Sequence, residues 1–179
     1  MEPDMSDIEN RQAGGFVTGV IMDPISGIAT YKDSTFAMLL EAQRRGHHIL
    51  YMEPGDLTMR DGAAYGRMRT LEVRDDPEDW FSLGESSNRP LDDLDFLLMR
   101  KDPPFDMDYV YTTYVLDLAE RDGVTVILTT HDLGDIEQLC RRVIIIDKGL
   151  VHFDGDHGGL GIGLSDLQVR RGPATTTHQ

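Results

Sequence analysis

A run of seven residues near the middle of the chain concentrates groups that bind small charged molecules. Residues 100–106 bring together a guanidinium, an ammonium, two carboxylates and two prolines. Arg100 offers a planar fork of N–H groups that matches a carboxylate, and Lys101 adds a point charge. This pair suits a small peptide that bears carboxylates. A structural interpretation stays open, in which Arg100 pairs with Asp102 and the prolines shape a turn before a helix capped by Asp106.

A second polar loop is placed where the same ligand would reach it. Residues 23–33 follow the first predicted strand, as the Arg100 segment follows a later one. Ligands of open parallel sheets bind outside the carboxyl ends of the strands, where successive loops diverge. We therefore expect Asp23 and Ser34 to supply donors or acceptors to the cleft that holds Arg100. The predicted substrate-binding set is Asp23, Ser34, Arg100, Lys101 and Asp102.

Other reactive side chains are better explained by structure than by chemistry. His131 stands at the end of an apolar run, beside a predicted helix cap. Cys140 is predicted to fill the core on the inner face of a helix. A last group has a spacing that matches no closed zinc site and is typical of a glycine turn: His152, Asp154, Asp156 and His157. The sequence therefore predicts no catalytic residue and no metal site.

Composition excludes several classes of function. The chain has 179 residues, enough for one domain with its own core. With 32 acidic and 17 basic residues its net charge is −15, which disfavours nucleic acid and anionic membranes as partners. No apolar run approaches the roughly 20 residues that span a bilayer. The single cysteine and the acidic, polar start of the chain, which is no signal peptide, favour a cytoplasmic protein.

The elements that must position these groups form an α/β pattern in the first part of the chain. Residues 16–22 and 48–52 are apolar runs, which predict two buried strands. Between them a helix is predicted to begin at Asp33 or Ser34 and to end at Gly46. A strand, a helix and a strand in this order form a βαβ unit with parallel strands.

The middle of the chain predicts weaker strands around a turn. Asp61-Gly62 marks the turn, and residues 69–73 are predicted to form an edge strand. Trp80 is expected to pack against the sheet rather than to stack on a ligand. Residues 95–99 are predicted to form a third buried strand.

The second half begins with the clearest helix signal, followed by a strand. The helix has Asp106 as its cap and Gly123 as its stop. Its apolar face is predicted to comprise Met107, Val110, Tyr111, Tyr114, Val115 and Leu118. Residues 124–128 are apolar enough to predict a strand that is covered on both faces.

The last predicted elements are a helix and a hairpin. The helix is capped by Asp132, and its inward side chains are predicted to be Ile136, Leu139 and Cys140. The pair Lys148-Gly149 connects two apolar runs, residues 143–147 and 150–153, in a hairpin-type turn.

Several long runs closely resemble the N-terminal domain of prokaryotic glutathione synthetases. They are residues 20–25 with Met-Asp-Pro, residues 32–46 beginning Lys-Asp-Ser-Thr-Phe, and residues 98–106 with Met-Arg-Lys-Asp-Pro-Pro. The resemblance covers residues 16–123 and implies a pre-ATP-grasp fold, a Rossmann-like α/β layer with a mainly parallel sheet. It also implies one wall of a site for γ-glutamylcysteine and glycine, which the family ligates to glutathione with ATP and magnesium.

A second resemblance begins after Gly123 and covers residues 124–155. Residues 126–133, which read Val-Ile-Leu-Thr-Thr-His-Asp-Leu, and residues 143–149 look like the switch-histidine segment of ABC-transporter ATPases. The histidine that matches His131 senses a γ-phosphate in that family, but this sequence has no phosphate loop for it to serve. His131 is therefore predicted to be an orphan. The segment is predicted to extend the sheet as a strand, a helix and a hairpin.

Together these features predict the substrate-side domain of a glutathione synthetase, truncated and without catalysis because the ATP-grasp part is missing. The chain is expected to bind no cofactor itself, to hold γ-glutamylcysteine or glutathione weakly, and to be capable of homo-oligomerisation. The alternatives are a non-catalytic interaction module and a structural chimera that carries an ABC-ATPase tail. The expected layout is a disordered leader over residues 1–15, one α/β domain over 16–155 and a flexible tail over 156–179.

Overall fold

Three segments of the chain, residues 14–101, 107–129 and 140–156, are described by the computed structural model. The chain divides into two compact units, residues 1–129 and 130–179. The first unit carries a seven-stranded sheet and the second a two-stranded sheet. The predicted leader, tail and domain boundaries stay predictions.

Strands and helices follow one another in the order expected of an α/β protein. The strands are β1 (Val17–Met22), β2 (His48–Met52), β3 (Leu57–Arg60), β4 (Ala63–Val73), β5 (Phe81–Pro90), β6 (Phe96–Arg100), β7 (Thr125–Leu128), β8 (Arg142–Asp147) and β9 (Leu150–Asp156). The α-helices are α1 (Ser34–Arg44) and α2 (Met107–Arg121). Short 3₁₀ helices lie at Ile25–Gly27, Pro54–Asp56 and Leu91–Asp93. Neither of the α-helices in the described segments is long and apolar enough to cross a membrane.

Four parallel strands form one side of the large sheet, in the order β2-β1-β6-β7. On the other side, β4 pairs antiparallel with β2, and β3 and β5 pair antiparallel with β4. β1 lies inside the parallel group, and all six of its residues are buried. The predicted α/β class and the βαβ unit are confirmed. The prediction that residues 124–128 join the same sheet as the upstream strands is also confirmed.

Helix α1 begins and ends where the sequence predicts. The Asp33 carboxylate accepts hydrogen bonds from the backbone N–H groups of Thr35 and Phe36, at 2.7 and 3.1 Å. These bonds satisfy donors of the first turn that have no partner within the helix. Gly46 has φ of +80°, the left-handed conformation that ends a helix without a steric penalty.

Both helices cover the sheet, and each contributes to its own apolar cluster. α1 packs Phe36 and Leu39 into a cluster with side chains of β1 and β2. Trp80 joins this cluster, and its ring lies 5.5 Å from the ring of Phe36 in an edge-to-face arrangement. Trp80 therefore packs against the structure, as predicted. α2 contributes to the second cluster, which also contains residues of β1, β2, β4 and β6.

The buried face of α2 differs from the predicted one. Met107 and Tyr114 are 78% and 62% exposed, so the predicted apolar face is mostly open to solvent. Of the predicted face, Val115 is buried and Leu118 packs partly buried against the core, as expected. The other buried residues of the helix are Tyr109, Thr112, Leu116 and Ala119. This second stripe has the same helical periodicity, and its small members Thr112 and Ala119 let the helix approach the sheet closely. Counting apolar residues favoured the wrong stripe, because tyrosine is amphipathic and is often only partly buried.

Two strands occupy positions in the sheet that the sequence misjudges. The predicted edge strand over residues 69–73 is the second half of β4, which has neighbours on both sides. β7, predicted to be covered on both faces, is the last strand of the described sheet and alternates in exposure. Val126 and Leu128 pack against the cluster of α2, whereas Ile127 is 40% exposed. The substitution Ile127→Asp should therefore cost only about 1 kcal/mol, far less than it would in a strand covered on both faces.

The described part of the second unit is a hairpin of β8 and β9. Lys148 and Gly149 have φ of 48° and 77°, and this pair of left-handed residues fits a two-residue hairpin turn. Arg142 donates to both carboxylate oxygens of Asp154 at 2.8 Å across the strands. The predicted hairpin is confirmed. Several other predictions lie outside the described residues, namely the caps Asp106 and Asp132 and the inward side chains Ile136 and Leu139.

Candidate functional site

The parallel strands β2, β1, β6 and β7 end at one border of the sheet, here called the carboxyl edge. Met22, the last residue of β1, is directly opposite Arg100, the last residue of β6. α1 starts at the same edge, because it follows β1 through residues 23–33. The ends of β1 and β6 are therefore neighbours, and the start of α1 lies within reach of both.

Arg100 is held by hydroxyl groups from two other elements. Its Nε donates to Thr35 Oγ1 at 2.9 Å, and its Nη2 donates to Ser34 Oγ at 2.8 Å. Its Nη1 donates to the hydroxyl of Thr129, which directly follows β7. We call these three groups the hydroxyl cradle. Within the described part of the chain, the Arg100 guanidinium is bonded to hydroxyls and to no carboxylate.

The predicted site residues fall into three groups. Arg100 and Ser34 are in direct contact at the carboxyl edge. Lys101 follows β6 and is half-buried, and Asp23 follows β1 and is exposed. Asp102, and with it the alternative that Asp102 neutralises Arg100, lies outside the described residues. His131 lies outside them as well.

Sequence reasoning missed two members of the cradle. Thr35 is only 4% exposed and points its hydroxyl at Arg100 from the second residue of α1. Thr129 is exposed and comes from the far side of Gly123, where a different resemblance was assigned. The available signals were a threonine two residues after a capping aspartate and another directly after a parallel strand. Neither signal identifies Arg100 as the partner of the threonine until the neighbours of β6 in the sheet are known.

A buried tyrosine ties the loop after β1 to the end of β2. The Tyr51 hydroxyl accepts a hydrogen bond from the Ile25 backbone N–H at 3.2 Å and donates one to Glu53 Oε1 at 2.8 Å. Burial, followed by the bond to Glu53, raises the pKa of Tyr51 to about 12. Arg69 lies over the Tyr51 ring, 5.2 Å from its centre. These contacts fix the loop that leads to Ser34.

The opposite border of the parallel strands, here called the amino edge, has a different character. Here Arg89 donates from Nη2 to Asp93 Oδ2 at 3.2 Å. Asp93 ends the 3₁₀ helix Leu91–Asp93, which precedes β6. A surface pocket nearby is lined by Ala63, Ala64, Tyr65, Pro90, Asp92, Asp93 and Asp122. Its acidic lining is unsuited to a carboxylate ligand, and Asp93 is already paired. In the described segments, no three His, Cys, Asp or Glu side chains are grouped to hold a metal ion.

Comparison with known proteins finds similarity over the part of the chain that builds this site. Residues 17–133 match the family described as prokaryotic glutathione synthetase, N-terminal domain. The chain is 53% identical over 120 residues to a glutathione synthetase of Coxiella burnetii, a match that covers 67% of this chain and 37% of that protein. It is 52% identical over 120 residues to a glutathione synthetase of Pseudomonas putida, with 67% and 38% covered. The glutathione synthetase of Escherichia coli strain K12 is 49% identical over 120 residues, with the same coverage.

Two consequences follow for the expected layout. The matched part is 37–38% of the length of these relatives. The family match also continues to residue 133, ten residues beyond the junction expected at Gly123. β7 and Thr129 therefore lie within the synthetase-like part, which agrees with the bond from Thr129 to Arg100. The resemblance of residues 124–155 to ABC-transporter ATPases stays a prediction.

Proposed function

We propose that this chain, which belongs to the prokaryotic glutathione synthetase N-terminal domain family, acts in glutathione synthesis as the domain that holds the peptide substrate. The peptide is γ-glutamylcysteine, or glutathione as the product. One observation carries the proposal. Arg100 is a cation at the carboxyl edge that three hydroxyls hold in place, and it is paired with no carboxylate of the described residues.

Arg100 has the charge and the shape that a peptide carboxylate requires. A guanidinium binds both oxygens of a carboxylate through parallel N–H bonds, and such charge-assisted bonds are stronger than neutral ones. Ser34 and Thr129 are exposed, so the cradle is open to solvent on at least one side. Lys101 adds a second cation beside it, and Asp23 offers an acceptor at the end of the neighbouring strand. Asp102 completes the proposed set.

ATP and magnesium enter the family reaction, but the described residues of this chain do not fit either group. Magnesium at a nucleotide phosphate needs carboxylate ligands, and the described segments contain no cluster of such residues. The whole sequence also has no Gly-x-x-x-x-Gly-Lys-Ser/Thr loop. We therefore propose that this chain binds peptide without ATP and does not catalyse the ligation by itself. Residues 124–155 have no nucleotide function in this proposal, whether or not they derive from an ABC ATPase.

A docking module is the second candidate function. The exposed side of α2 favours it, because Met107 and Tyr114 place large apolar surface in solvent. Clustered exposed apolar side chains are typical of protein–protein interfaces. A module of this kind would form a complex through α2 and would not require Arg100.

The proposed function is tested by an NMR titration of the chain with γ-glutamylcysteine. We expect millimolar affinity, because the carboxyl edge is open to water, and chemical-shift changes around residues 23–35 and 100–101. Arg100→Ala should remove these changes. Arg74→Ala is the matched control, because Arg74 is a partly exposed arginine that is already paired with Asp79 at 3.1 Å. Its titration should match that of the wild type.

Shift changes that survive Arg100→Ala, or that cluster on α2, would contradict the assignment of the site. An ATP-dependent ligation assay with γ-glutamylcysteine and glycine is run beside the titration. Turnover above background would contradict the proposal that the chain alone is inactive, but not the proposal that it binds the peptide. Light scattering tests the second candidate by measuring the mass of the particles in solution. A docking module should form a complex, and the mass of that complex should be the same for the wild type and for Arg100→Ala.

A further inference from the structure

The three hydroxyls around Arg100 use all three nitrogens of its guanidinium. Nε and Nη2 donate to the neighbouring residues Thr35 and Ser34, and Nη1 donates to Thr129 on the other side. Three bonds that point in different directions fix both the plane of the guanidinium and its rotation within that plane. A guanidinium has five N–H groups, so two remain for a ligand in the described structure.

The polarity of the cradle suits a positive charge that must stay available. A hydroxyl accepts a hydrogen bond from the guanidinium but does not neutralise its charge. A carboxylate would accept the bond and neutralise the charge as well. Thr129 Oγ1 also lies 3.5 Å from the Met99 carbonyl oxygen, a long contact that turns its proton away from Arg100. The lone pairs of that hydroxyl therefore face the guanidinium.

Burial distinguishes Thr35 from the other two hydroxyls. Thr35 is 4% exposed, whereas Ser34 and Thr129 are exposed. A buried hydroxyl keeps one set of neighbours, and its bond to the arginine is not lost to competing water. Asp33 fixes the backbone at the same point, because its carboxylate accepts from the N–H of Thr35 at 2.7 Å. The start of α1 is thus a rigid support for the Nε side of Arg100.

We propose that Thr35 and Thr129 are positioning residues that orient the Arg100 guanidinium toward a carboxylate of the peptide substrate. The inference rests on the proposed function for the identity of the ligand. It adds that the affinity for the peptide depends on hydroxyls that do not touch the peptide themselves. It also gives the segment after Gly123 a part in the site, through Thr129.

The test compares variants that differ by one hydroxyl. Thr35→Val removes the hydroxyl and keeps the branched shape, and Thr35→Ser keeps the hydroxyl. Thr18→Val is the matched control: Thr18 is also 4% exposed and its Oγ1 is bonded to His47 Nδ1 at 3.1 Å, at the amino edge. Thr129→Val tests the second positioning residue.

Two measurements are made on each variant of the full chain. The first is hydrogen exchange of the Arg100 Nε–H by NMR without ligand, and the second is the dissociation constant for γ-glutamylcysteine. Thr35→Val should speed the exchange about tenfold and weaken binding about fivefold, the range for one lost hydrogen bond. Thr129→Val should weaken binding by a smaller factor, because its hydroxyl is exposed. Thr35→Ser and Thr18→Val should behave as the wild type in both measurements.

Arg100 exchange that is unchanged in Thr35→Val would overturn the proposal, as would faster exchange with unchanged affinity. Equal losses in Thr18→Val would also overturn it, because they would trace the effect to general destabilisation. A wild-type chain that binds no γ-glutamylcysteine overturns the proposed function instead. In that case the exchange of the Arg100 Nε–H still decides whether the cradle orients the guanidinium.

Discussion

The two borders of the parallel strands each hold an arginine, and the two arginines have opposite partners. At the amino edge, the Arg89 side chain is 9% exposed and is paired with the carboxylate of Asp93. At the carboxyl edge, Arg100 is bonded to the hydroxyls of Ser34, Thr35 and Thr129. The first positive charge is compensated within the protein. The second is oriented but not compensated by any carboxylate of the described residues.

This difference separates an arginine that stabilises the fold from one that is available to a ligand. A buried charge that loses its counter-charge is strongly destabilising, so Arg89 and Asp93 depend on each other. An arginine on neutral acceptors keeps its full attraction for an outside anion. The type of partner is therefore more informative than the arginine itself.

The largest expected effect is on stability, at the amino edge. Arg89→Ala removes the guanidinium that is paired with the Asp93 carboxylate in a partly buried place. We expect a loss of about 2 kcal/mol in the free energy of unfolding, less than for a fully buried pair because the Asp93 side chain is 29% exposed. Urea unfolding measures it. Peptide affinity should not change, and a weaker affinity in Arg89→Ala would break the contrast between the two edges.

At the carboxyl edge the expected pattern is reversed. Arg100→Met keeps a long apolar side chain but removes the charge and the fork. We expect the free energy of unfolding to fall by only about 1 kcal/mol, because Ser34 and Thr129 are exposed to water and only the buried hydroxyl of Thr35 loses its bond away from solvent. Affinity for γ-glutamylcysteine should fall at least about tenfold. A large loss of stability in Arg100→Met would place Arg100 with Arg89, as a structural arginine.

A pH effect is expected from the tyrosine that holds the loop of the carboxyl edge. The pKa of Tyr51 is raised from 10 to about 12 in the folded chain, chiefly by burial. A raised pKa means that Tyr51 holds its proton more tightly in the folded state than in the unfolded state. The protonated tyrosine therefore stabilises the fold fully below pH 10, and this contribution is lost as the pH rises toward 12. Unfolding experiments between pH 9 and pH 12 should show this loss in the wild type. In Tyr51→Phe the slope in this window should be smaller, and an equal slope would contradict the assignment.

The smallest expected effect is at an exposed carboxylate on α1. Glu41 accepts from Arg44 and Arg45, and the bond from Arg44 is the first cause that lowers the pKa of Glu41 to about 2. All three side chains are largely exposed, so water and salt screen the attraction. Glu41→Gln should leave the unfolding midpoint in urea unchanged at neutral pH. A clear shift would show that pairing with a carboxylate matters even without burial, which would weaken the distinction drawn from Arg89.

Much of the fold follows from local signals in the sequence. The boundaries of α1 follow from Asp33 and Gly46, and β1 follows from an apolar run of residues. The hairpin of β8 and β9 follows from Lys148-Gly149. Each of these signals acts between residues that are close along the chain, so the sequence alone contains the physical cause.

The errors concern contacts between residues that are far apart along the chain. Which stripe of α2 is buried depends on the shape of the sheet surface, and a count of apolar residues does not contain that shape. The interior position of β4 depends on β5, whose sequence is polar over much of its length. Likewise Arg100 was predicted from its strand end and Ser34 from its helix start, whereas Thr35 and Thr129 required the actual neighbours of Arg100. The contact of Arg100 with Ser34 was therefore predictable from local signals, whereas its contacts with Thr35 and Thr129 were not.

The inner position of β1 has a consequence for how the chain is made. Val17, at the start of this strand, donates its N–H to the Asp95 carboxylate, 78 residues later. A ribosome that adds roughly 5–20 residues per second needs roughly 4–16 seconds to synthesise that interval. During this time one flank of a wholly buried strand has no neighbour, and contacts of such long sequence separation slow folding. The nascent chain must therefore protect β1 with the elements that precede β6, chiefly β2, α1 and β4, until the strand that carries Arg100 leaves the exit tunnel.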